Sequence, residues 1–161
     1  MRAALLPVLL LGCGPAIPLQ GDVEYTPEGY PVSLPVSFQD PLITPDLVKS
    51  WVDVQVGRWI SEKDTWNLGG YSDTALKRYA KQVPIIVYDE SVIHGDSSGF
   101  NMFGHYIEVA LYSRPFTPWA TGPINPPNSA ASLARWCWIL DGVGLPALPH
   151  ELTHTVLGDF H

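Results

Sequence analysis

The segment Leu145-Pro146-Ala147-Leu148-Pro149-His150-Glu151-Leu152-Thr153-His154-Thr155-Val156-Leu157-Gly158 restricts the fold more than any other stretch of this chain. Proline is tolerated only in the first turn of a helix, so a helix here must begin between Pro146 and Pro149. Gly158 offers the positive φ at which helices commonly turn back. Between these limits Leu148, Leu152 and Val156 recur every fourth residue and form one apolar stripe. His150 and His154 recur at the same interval on the opposite side. Glu151 lies about 100° round the helix from His150. The rest of the chain must therefore bury the leucine stripe and leave the histidine face open.

The open face carries a recognisable chemistry. Two imidazoles four residues apart can point their ring nitrogens at one metal about 2 Å away. A carboxylate one residue after the first histidine flanks that metal without ligating it, where it can act as a base. The pattern His150-Glu151-x-x-His154 is H-E-x-x-H, and it resembles the zincin signature. In the metzincins the second histidine is followed by x-x-G-x-x-H, whose last histidine is the third ligand. Here Thr155-Val156-Leu157-Gly158-Asp159-Phe160-His161 follows, with one additional residue before the glycine. No methionine follows His154 to form the metzincin Met-turn, and Met102 lies upstream. The resemblance implies Zn2+ held by His150, His154 and His161, with Asp159 or a residue elsewhere as the alternative third ligand. It implies a zinc-dependent endopeptidase acting on a peptide or protein through a zinc-activated water, with Glu151 as general base. It implies an α+β, zincin-like fold, a small mixed sheet packed on helices. In zincins an edge strand before the active helix pairs with extended substrate. The segment Gly104–Tyr112 is the candidate, with Gly104, His105, Tyr106 and Ile107 as the pairing residues. The competing classes are a non-catalytic metal-binding surface lipoprotein, in effect a degenerate zincin, and a structural surface domain without metal.

The N-terminus reads as a targeting segment. Arg2 precedes a short apolar run from Ala3 to Leu11, far below the roughly 20 residues that span a bilayer. The run ends in Leu10-Leu11-Gly12-Cys13, which resembles the lipobox of bacterial lipoproteins. The resemblance implies export, a lipid on Cys13, and a location on the cell envelope. Residues 1–13 are then signal peptide and lipobox. Residues 14–43 contain Pro15, Pro18, Pro27, Pro31, Pro35 and Pro41 and read as a tether, with one short strand at Val32–Phe38. An arm wrapped on the domain is the alternative. Residues 44–161 form the domain. The second cysteine, Cys137, sits between Trp136 and Trp138 and reads as a buried thiol; a Cys13–Cys137 disulfide is the alternative in an oxidising compartment.

Thr44-Pro45-Asp46 supplies an N-cap, a proline at the first helical position and an acid, which predicts a helix over 45–61. Asp73–Ala80 reads as a short helix and Val83–Tyr88 as a buried strand. Gly104–Tyr112 alternates and reads as a half-buried strand. Residues 95–99 read as a loop, Pro115–Asn128 as a long loop with five prolines, and Ser129–Leu140 as a helix. An apolar fraction of 46% supports a packed core, and 16% charged residues is too little for a disordered acidic chain. The net charge is −7 and no Lys/Arg cluster occurs, which argues against a nucleic-acid partner.

Overall fold

The computed structural model describes residues 16–38, 41, 43–89, 99–102, 104–110 and 147–158. The loop and helix expected over 115–140, most of the 95–99 loop, and the residues Cys13, Cys137, Asp159 and His161 lie outside them. So does the 1–13 segment.

A hairpin opens the described chain. Strands β1 (Val23–Tyr25) and β2 (Pro31–Ser33) pair antiparallel. Gly29 makes the turn at φ +85°, and its N–H donates to the Thr26 carbonyl at 2.8 Å. Pro31 is accommodated because it is the first residue of its strand. Helix α1 (Pro45–Ser61) follows, with the Thr44 hydroxyl accepting from the Leu47 N–H at 3.2 Å. Helix α2 (Asp73–Ala80) is capped in the same way by Ser72. Strand β3 (Ile85–Tyr88) returns the chain to the sheet, parallel to β2. Strands β4 (Gly99–Asn101) and β5 (Ile107–Ala110) form a second antiparallel pair, and β5 runs parallel to β3. Helix α3 (Ala147–Leu157) closes the described fold. The sheet order is β1-β2-β3-β5-β4, giving a small mixed α+β architecture.

One core lies between the sheet and the three helices. Val32, Ile85, Val87, Ile107 and Val109 supply its sheet side. Val48, Trp51, Val52, Val56, Trp59, Leu76, Leu148 and Leu152 supply its helix side. Burying a leucine or isoleucine side chain of this kind stabilises by about 1.5–3 kcal/mol, which makes α3 a structural element before it is anything else. The helices over 45–61 and 73–80 fall where the sequence predicts them. The helix bearing the two histidines begins at Ala147, within the window that the prolines allow.

Three expectations are corrected. Residues 14–43 are not a tether throughout: Val23–Tyr25 and Pro31–Ser33 are strands, and Tyr30, Val32, Leu34, Phe38 and Ile43 enter the core. The alternation Tyr30, Val32, Leu34 supplies the buried face, and the prolines fall where no ladder N–H is required. The short strand sits at Pro31–Ser33 in place of Val32–Phe38. The strand Ile107–Ala110 is buried on both faces, not half-buried, because even Glu108 and Ala110 on its second face are covered.

Candidate functional site

Helix α3 is positioned by three neighbours. Leu148 and Leu152 sink its apolar stripe into the core, and Val156 packs against that core. The buried Trp59 indole of α1 donates to the Thr153 hydroxyl at 3.1 Å. Thr153 in turn donates to the Pro149 carbonyl at 2.9 Å, within the first turn of α3. On the other side Asn101 of β4 reaches over with its amide. Its Nδ2 donates to the Glu151 carbonyl at 2.6 Å and to the Thr155 hydroxyl at 2.8 Å. Its Oδ1 accepts from the Gly104 N–H at 2.8 Å. The helix is thus pinned between α1 and the end strand of the sheet.

The two histidine rings are neighbours. The His150 and His154 rings have centroids 5.0 Å apart and planes inclined at 76°. A cation ligated by two imidazole nitrogens at 2.0–2.1 Å sits roughly 3.2 Å from each ring centroid. Tetrahedral ligation then places the centroids about 5.2 Å apart, so the observed separation suits a shared metal. The Trp66 ring meets His150 edge-on, with centroids 6.5 Å apart, and limits its movement. His154 Nδ1 lies 2.8 Å from the Gly158 carbonyl. A carbonyl can only accept, so Nδ1 is the donor, which in the neutral ring leaves the lone pair on Nε2. Gly158 permits this by taking φ +71° while its own N–H closes on the His154 carbonyl at 2.9 Å.

Glu151 is 7% exposed and lies against β4. A Cβ built on Gly99 would stand 2.9 Å from both Cγ and Oε1 of Glu151. Only glycine lets that carboxylate rest beside the strand. The resulting arrangement is two neighbouring imidazoles, the buried carboxylate of the residue between them in sequence, and a strand main chain next to that carboxylate.

No protein-family model, curated protein or solved structure matches this chain.

Among the described residues no group of three potential ligands gathers. His150 and His154 form a pair, while His161 and Asp159 lie outside the described residues. The expected substrate-pairing segment is corrected. Strand β5 is bonded on both sides, Ile107 standing opposite Ile85 of β3 and Asn101 of β4. Gly104, His105 and Tyr106 form the turn between β4 and β5, with the His105 N–H on the Met102 carbonyl at 2.7 Å. Among the described residues the terminal position in the sheet belongs to β4. The alternation over 104–112 identified a strand but not its neighbours. Gly99 and Asn101 carried no sequence signal beyond a loop glycine and a polar residue beside it.

Proposed function

We propose that this chain is a zinc-dependent endopeptidase with a zincin-like fold, exported and held at the cell envelope by a lipid on Cys13. The observation that carries the reading is the 5.0 Å separation of the His150 and His154 ring centroids, with the next residue after His150, Glu151, buried. His150 and His154 would hold zinc through ring nitrogens, with His161 as the third ligand and Asp159 as the alternative. Zinc, when bound, supplies Lewis-acid stabilisation of developing negative charge and acidifies the attacking water.

The chain's own residues do the remainder. Glu151 takes the proton of the attacking water and passes it to the leaving amine. The contact with Gly99 and the Asn101 amide on its own carbonyl fix where that carboxylate stands. The Gly158 carbonyl orients the His154 ring. Strand β4 supports the substrate assignment because it ends the described sheet directly beside Glu151. An extended peptide adding to that edge would lay its backbone along the carboxylate and the histidine pair. The expected pairing role thus moves from Gly104–Ile107 to Gly99–Asn101.

The test compares wild type with Glu151→Gln for zinc content and for cleavage of a broad peptide library. Both proteins should bind zinc, and only wild type should cleave, with chelator abolishing and added zinc restoring turnover. Loss of the base should cost about 10²–10⁴-fold. Equal cleavage by Glu151→Gln would refute the catalytic assignment. Zinc binding without cleavage in either protein would identify the non-catalytic metal-binding lipoprotein.

A further inference from the structure

The second face of the sheet, away from the helices, carries an apolar concentration that the proposed catalysis does not use. Seven large apolar side chains stand exposed among the described residues, and four of them, Ile17, Leu19, Val23 and Tyr25, fall within nine positions. Tyr25 is 66% exposed. Val23 and Tyr25 alternate with Glu24 and so share one face of β1. Glu24 is turned the other way and pairs with Lys49 of α1, which fixes Val23 and Tyr25 on the face opposite the helices.

Residues 16–22 are laid onto the same face. The Ser33 hydroxyl, opposite Val23 in the ladder, accepts from the Gln20 N–H at 2.9 Å and the Gly21 N–H at 3.1 Å. It donates to the Gly21 carbonyl at 2.9 Å. The approach is close enough that a Cβ on Gly21 would stand 2.8 Å from the Leu34 carbonyl oxygen. Leu19 directly precedes Gln20 and is 45% exposed. Across 16–25 there is no Lys or Arg, and the charged residues are Asp22 and Glu24.

We propose that this patch rests on a phospholipid bilayer, with Ile17, Leu19, Val23 and Tyr25 entering the boundary between headgroups and acyl chains. The proposal rests on the reading of Cys13 as the lipid anchor. Only Gly14, Pro15 and Ala16 separate Cys13 from Ile17, so four chain steps hold the Ile17 Cα within roughly 14 Å of the Cys13 Cα. A surface kept that close to lipid buries apolar side chains in it, and a tyrosine suits the interface because its ring is apolar and its hydroxyl polar. Such contact supplies a second attachment besides the acyl group. It also orients the domain. β1 and β4 are opposite ends of the sheet, and α3 lies on the other face. The histidine pair then faces away from the membrane.

The test uses the full-length lipidated protein carrying Cys137→Ser, with Tyr25→Cys, Leu19→Cys or Val54→Cys added. Val54 is an exposed residue of α1 on the helix side. Maleimide labelling rates are compared in detergent and in phosphatidylcholine vesicles, and mass spectrometry records the acyl group on Cys13. Labelling at positions 25 and 19 should slow at least tenfold in vesicles, while position 54 stays within twofold. Because the patch lacks cations, zwitterionic lipid should suffice; slowing that requires anionic lipid would overturn the proposal. Unchanged rates at 25 and 19 on acylated protein would overturn it while leaving the anchor intact. Absence of the acyl group would remove both. Slowing already present in detergent that grows with protein concentration would assign the patch to a second copy of the chain instead.

Discussion

Gly99→Ala adds one methyl group at the point where the sheet meets the candidate base. The new Cβ would stand 2.9 Å from Glu151 Cγ and Oε1 and 3.3 Å from Cδ. Carbon atoms pack comfortably at about 3.5–4.0 Å, so Cγ must retreat by roughly 0.6 Å or more. The backbone of Glu151 cannot yield freely, because Asn101 of the same strand holds its carbonyl at 2.6 Å. The side chain must move instead, and the carboxylate goes with it. Misplacement of a reacting group by about 1 Å costs on the order of 10²-fold in rate, so a 10- to 100-fold loss in kcat is expected. Stability should fall modestly, by about 1–3 kcal/mol, as for other overpacked sites. The two imidazoles are untouched, so zinc affinity should not change. The assay pairs zinc binding by competition with a chromogenic chelator and steady-state cleavage of a quenched peptide. Wild-type kcat in a folded, zinc-loaded Gly99→Ala protein would show that the Glu151 carboxylate does not work from the position described here.

Asn101→Ala removes both donors to α3 and should lower stability by about 1–3 kcal/mol, with kcat falling more than zinc affinity; thermal melts and the same peptide assay check this. Leu152→Ala empties a fully buried position under the histidine pair and should cost 2–5 kcal/mol in denaturant titrations. Alkaline stability should depend on Tyr30, whose phenol is pushed from 10.0 up to about 12 by burial and by the neighbouring negative charges of Glu28 and Asp53. The fold favours the neutral phenol, so this contribution is fully present below about pH 10 and is lost as pH rises through 12. The loss should reach about 2–3 kcal/mol, and Tyr30→Phe should show a flatter melting profile between pH 10 and 12.

The sequence was most legible where a local rule determines local structure. Thr44-Pro45 starts a helix because the hydroxyl satisfies an end N–H group and the proline carries none, whatever the tertiary context. The histidine helix was legible because prolines bound one end, Gly158 bounds the other, and leucines at four-residue spacing declare its buried side. What was lost lies in non-local pairing. Strands β1 and β4 have three residues each, too few for alternation to register. The order that places β5 inside β4 depends on register between distant segments, so the edge role fell on the wrong strand. The prolines of 14–43 suggested a tether, although Tyr30, Val32 and Leu34 already alternated as a buried strand would. The pinning contacts of Asn101 and Trp59 join residues 50 and 94 positions apart, and no spacing rule reaches that far.

The dependence of α3 on these distant partners has a temporal meaning. An isolated helix of 11 residues is marginal in water. The contacts that hold it in place come from Trp59 and Asn101, in segments made much earlier. An unfolded copy carries the same histidines without a stable helix to hold them four residues apart on one face. Under the proposed function, hydrolytic competence would therefore require the folded domain and not the helix alone.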